Sequence, residues 1–197
     1  MPMLMPTLLV GAVLVAAPVQ APPSPPAKSP VDQPVKPAVQ ADHGKPAGGL
    51  AAADATFVNK AADGGMAEVA LAKLAQTKTA NAEVKAFAQK LEQDHSKAND
   101  ELKTLAEAKH VTLPSAPSKM HAAKEAQLSK LSGAAFDRAY VADMLADHKK
   151  DVAEFERQST HAADADVKAF AAKTLPTLKE HLQQVEQLSK SVGRASS

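Results

Sequence analysis

"VKAFAQK" at residues 84–90 returns as "VKAFAAK" at residues 167–173 with one residue changed. Such a recurrence marks an internal repeat. Each copy opens a stretch whose apolar residues come back every three or four positions, the period of a helix that shows one face to a core. A second, looser repeat sets LEQDHSKANDEL (91–102) against LADHKKDVAEF (145–155) around a shared Asp-His pair. Both repeats place a related helical segment in each half of the chain.

Two helical hairpins joined by a longer crossover give an all-α fold, a ferritin-like antiparallel four-helix bundle with a short extra helix in the central crossover. The first helix is expected from an Asp54 N-cap to about Gln76, and the second from an Asn81 cap to about Lys109. VTLPSAP breaks the chain, Ser118 caps a short helix to Leu131, and Gly133 ends it. The fourth helix is expected over about 134–159. The fifth is capped by Asp164, continues to about Val192 and should be kinked by Pro176. No alternating β-branched run or Asn-Gly hairpin signals a strand.

Composition agrees with a bundle. The chain has 197 residues, no Cys or Trp, and only 3% aromatic residues. Without Cys there is no disulfide, thiolate metal site or Cys nucleophile. A net charge of +1 with scattered basic residues argues against nucleic acid as a partner. Residues 1–21 form an apolar run without charge, read as a signal peptide or an N-terminal anchor. Left uncleaved, it would tether the protein to a membrane. Residues 22–53 are Pro/Ala-rich and read as a disordered tether, residues 54–192 as the bundle, and 193–197 as a disordered tail. No protein partner can be named from the sequence.

The chemistry lies in the helix seams. In heptad spacing, the inward stripe of the first helix holds Phe57, Ala61, Gly64, Glu68, Leu71 and Ala75. In the second, Phe87, Leu91, His95, Ala98 and Leu102 follow the same spacing. The fourth has Val141, Met144, His148, Val152 and Phe155, and the fifth Leu178, His181, Val185 and Leu188. Each long helix thus carries one titratable residue where a core residue belongs. An unpaired polar group in a core costs about 1–3 kcal/mol. Glu68, His95, His148 and His181 are therefore candidate ligands of a transition metal (Fe, Zn, Cu or Mn), imidazole being the commonest protein ligand for several of these. A buried hydrogen-bond network is the competing reading. Asp94 and Asp147, each preceding a seam His, and Tyr140 are candidate outer partners. Glu92 to His95 fits half of a di-iron Glu-x-x-His pair, but the fifth helix has Leu178 where the second Glu would stand. Gly64-Gly65 reads as a close helix approach, as room for a ligand, or as a bend.

Register speaks against a single site. A first link centred near residue 79 sets Glu68 opposite about residue 90, and a second near 162 sets His148 opposite about 176. Each offset is about 5 residues, or roughly 7.5 Å.

Phe57 and Glu68 with Gly64-Gly65 between them, VKAFAQKLEQDH (84–95), FDRAYVADMLADH (136–148) and VKAFAAKTLPTLKEHL (167–182) together span about residues 54–190. In combination they resemble the exported bacterial bundle family known as domain of unknown function 4142. The resemblance implies a ferritin-like bundle behind a signal sequence, in the periplasm or outer envelope of a Gram-negative bacterium. The function expected is an exported protein that binds a metal or small ligand, with a role in envelope homeostasis or stress. A non-catalytic structural or interaction domain and a metal-dependent oxidoreductase are the alternatives; a non-enzyme is favoured.

Overall fold

The computed structural model describes residues 49–194. The expected signal or anchor, nearly all of the tether and residues 195–197 lie outside the described residues. Among the described residues five helices form: α1 (Ala52–Lys78), α2 (Ala82–Ala108), α3 (Lys119–Leu128), α4 (Gly133–His161) and α5 (Ala165–Arg194). Among the described residues, no helix is long and apolar enough to cross a membrane.

Caps set most helix starts. Asn81 Oδ1 accepts from the backbone N–H groups of Glu83 and Val84, and Asp164 Oδ1 from those of Asp166 and Val167. Ser118 Oγ accepts from His121 N–H. These caps satisfy donors that the first helical turn leaves free. Asp54 does not cap α1, which starts earlier at Ala52. Its buried carboxylate accepts from Ala163 and Asp164 N–H, at 3.3 and 2.7 Å, and so holds the α4–α5 link. Gly133 does not end the short helix. It is the first residue of α4, with φ +53, a conformation glycine adopts without strain. α5 is one helix through Pro176.

Side-chain partners give the topology. Glu68 meets His95 across the α1–α2 hairpin, and Glu156 meets Lys179 across α4–α5. Glu101 reaches Lys173 between α2 and α5, and Phe57 packs on Phe155 between α1 and α4. Those four pairs are antiparallel, so α2 and α4 run the same way. The crossover between them must travel the length of the bundle, and α3 lies in it. Asp63 on α1 binds α3 through Ser118 N–H and His121. Lys124 of α3 bridges Asp143 and Asp147 of α4.

The core has two apolar parts. One holds Leu71, Phe87, Leu91, Tyr140, Met144 and Val185. The other holds Phe57, Leu102, Phe155, Phe170 and Leu178. Glu68, His95, His148 and His181 belong to neither and are all buried, the last two at 0% exposure. Their positions along the four helices set them between the two parts.

Candidate metal centre

Each seam residue arrives on a different helix, and three of the four meet. One nitrogen each from His95, His148 and His181 lies within 4.8 Å of the others. The ring centroids are 5.3–5.7 Å apart. The expected register offset is overcome by the lean of the side chains. Helical side chains tilt toward their own N-terminus. In each hairpin, the residue nearer the turn leans away from it and the one farther out leans back. Glu68 and His95 close their gap this way, as do His148 and His181.

One nitrogen of every ring is already engaged. His95 Nδ1 lies 3.0 Å from Glu68 Oε2. His148 Nδ1 lies 3.0 Å from the Met144 carbonyl, and His181 Nε2 2.8 Å from Asp94 Oδ2. All three acceptors are oxygens without a proton to give, so the engaged nitrogen must be the one carrying hydrogen. The other nitrogens, His95 Nε2, His148 Nε2 and His181 Nδ1, are buried and have no hydrogen-bond partner among the described residues. In neutral rings each is then a lone pair. Three buried lone pairs then have no donor among the described residues, which is unfavourable unless a cation sits there.

Charge is arranged to match. Burial alone would raise the Glu68 carboxyl, but the charge and hydrogen bond of His95, with the charges of His148 and His181, hold it well below the usual carboxylate range. Burial opposes protonation of His95, and Glu68 overcomes it and raises that ring. Burial lowers His148. It takes His181 down to about 4 despite the Asp94 bond. Asp94 is itself held by Lys90 at 3.1 Å, which also reaches Glu180.

The set fits a divalent ion bound by three neutral imidazoles, with Glu68, the Met144 carbonyl and Asp94 fixing the rings from behind. Bonds of 2.0–2.1 Å place tetrahedral ligand nitrogens about 3.3 Å apart, so nitrogens within 4.8 Å of one another close on an ion by ring shifts of at most about an ångström each. Glu68, expected among the ligands, stands instead behind the rings, with Oε2 on His95 Nδ1 and Oε1 3.5 Å from His148 Nδ1. Of the candidate outer partners, Asp94 holds a ring. Asp147 is turned to Lys124 and Lys150, being one residue and about 100° around α4 from His148. Tyr140 stacks on Phe136 with ring centroids 5.8 Å apart, and its hydroxyl has no hydrogen-bond partner among the described residues.

A cleft of about 560 Å³ reaches this layer, lined in part by Gly64, Glu68, His95, Asp151 and Phe155. Burial, then the charge of Glu68, push Asp151 up to about 8. The sequence reading missed Asp151. Its signal was the spacing from His148, three residues on and so nearly one turn up the same face of α4. The two glycines divide their roles. A Cβ on Gly65 would collide with the Asn99 side chain, whereas one on Gly64 would meet nothing within 4 Å.

Similarity to known proteins bears on fold rather than chemistry. A crystal structure described as a DUF305 fragment from Deinococcus radiodurans superposes with a TM-score of 0.63 at 17% identity, covering 74% of this chain and 99% of that one. At that identity the likeness shows a shared helical fold and no more. No curated protein matches the chain. The model of the family described as "Domain of unknown function (DUF4142)" matches residues 39–188, three quarters of the sequence, and the chain belongs to that family.

Proposed function

We propose that this helical-bundle protein binds one transition-metal ion between His95, His148 and His181, and that it does so outside the cytoplasm, in the periplasm or outer envelope. The observation that carries the metal reading is the trio of buried ring nitrogens without hydrogen-bond partners among the described residues, each ring fixed from behind by an oxygen acceptor. A structural polar layer would pair such atoms with one another or with water-facing groups. Neutral nitrogen ligands without sulfur suit Zn(II), Cu(II) or Fe(II) better than Mg(II), Ca(II) or Mn(II), which prefer oxygen. The carboxylates of Glu68 and Asp94 balance the two positive charges. Support for export comes from the uncharged apolar run 1–21 followed by the Pro-rich stretch. A protein of this kind would serve metal homeostasis or stress tolerance of the envelope.

Elemental analysis of protein taken from the native cell fraction tests both parts. The expected result is close to one equivalent of metal per chain in the periplasmic or envelope fraction. Replacing His148 with Ala should remove that metal while helicity is kept. Metal far below one equivalent, or unchanged in the His148→Ala protein, defeats the metal reading. Recovery of the chain from the cytoplasm defeats export.

A further inference from the structure

The three-histidine set is one ligand short of a closed tetrahedral site. Among the described residues, no fourth Cys, His, Asp or Glu joins the group. Glu68 cannot fill the gap without leaving His95, because its carboxylate lies on the Nδ1 side of the ring while the free nitrogen is Nε2. Where the gap faces can be read from what surrounds the rings. Toward the Leu91 and Met144 part of the core, Phe87 covers the layer, its ring centroid 6.4 Å from those of both His148 and His181. Toward the Phe57 part lies the cleft. His95 and Glu68 line it, and His148 and His181 do not. The buried Glu68 Oε1 has no hydrogen-bond partner among the described residues and needs a donor.

We infer that the site is open on its cleft side, where a solvent molecule, replaceable by a small anion, completes the coordination of the bound ion. Water in the cleft that Glu68 lines supplies the donor its Oε1 lacks. Gly64 lines that passage, and an added Cβ there would meet nothing within 4 Å, so larger side chains at this position are the means of narrowing it. Such an arrangement separates a site that can exchange or transform small ligands from a purely structural one, which would be closed by a fourth protein ligand. The inference rests on the metal reading proposed above.

The test uses the full chain, stripped of metal and reloaded with one equivalent of Co(II), with azide as the probe. Four-coordinate Co(II) should give intense visible absorption, and azide should shift it saturably. Replacing Gly64 with Phe should leave Co(II) uptake unchanged and weaken the azide response at least tenfold. If the Phe variant takes up less Co(II), the smaller Gly64→Ala and Gly64→Leu replacements decide. Their azide response should fall stepwise with side-chain size at full uptake. A chain that takes up no Co(II) refutes the metal reading itself. A chain that binds Co(II) but ignores azide, or plugged variants that respond as the parent does, refute the open site and leave the metal reading standing.

Discussion

His181 is wholly enclosed, and among the described residues only one of its nitrogens has a hydrogen-bond partner. Enclosure disfavours its charged form, and the neighbouring His95 and His148 add to that, so its pKa falls to about 4 from an ordinary 6.5. The unfolded chain then takes up a proton between pH 6.5 and 4 that the folded, metal-free chain refuses. The sign follows from that difference in protons bound. His181 contributes fully above pH 6.5, and its contribution is lost as pH falls toward 4. The size is on the order of 3 kcal/mol. His95 works the other way. Glu68 raises it, so its contribution is complete below pH 6.5 and fades as pH rises through its folded pKa. Urea titrations of metal-free protein at pH 7.5 and 4.5 separate the two. Asp151, pushed up to about 8, gains on the same acidification, as His95 does, so the readout is the difference between the two proteins. Going from pH 7.5 to 4.5, the midpoint of the parent should shift downward relative to that of the His181→Phe variant. Equal shifts would mean that the ring is not held neutral.

At the scale of elements, a single carboxylate joins the start of α1 to the α4–α5 link. Asp54 is 2% exposed and accepts from two backbone N–H groups more than a hundred residues away in sequence. Asp54→Ala strands those part-buried donors and should cost about 1–3 kcal/mol. Asp54→Asn keeps one acceptor oxygen and should cost less. Chemical denaturation measures both, and an Ala variant as stable as the parent would remove the link from the list of supports. Asp54 also shows what the sequence could and could not tell. An acid in a first turn reads as the cap of its own helix, and only the folded chain reveals that it serves another. The seams were legible because apolar residues at helical spacing leave few ways to place Glu68, His95, His148 and His181 except inward. The meeting of the histidines was not, because residue counting locates backbones and ignores the lean of side chains. Which side of each ring faces inward was illegible too. That choice depends on Asp94 and the Met144 carbonyl, which reach the rings by tertiary packing and by helix geometry respectively.

For the whole molecule, a polar layer interrupts what would otherwise be one apolar core. A layer kept for metal and a layer kept for register make opposite demands on its removal. Glu68 must go with the histidines, since alone it would be a buried charge without a partner. A variant with Leu at positions 68, 95, 148 and 181 rids the core of its unpaired nitrogens. If the layer exists to hold metal, this variant should fold to the same helicity. Without metal it should equal or exceed the parent, by up to about 4 kcal/mol. The parent should respond to metal where the variant does not. At a free ion concentration a hundred times Kd, binding to the folded state alone adds about 2.7 kcal/mol. For a domain of this size that is a rise in Tm on the order of 5–10 °C, reversed by chelator. A layer kept for register gives the reverse pattern. The Leu variant would then lose its single cooperative transition or change its association state, because a uniformly apolar seam no longer distinguishes one helix alignment from the next. Thermal scans of both proteins, with and without metal, beside their sedimentation behaviour, separate these outcomes in one set of measurements.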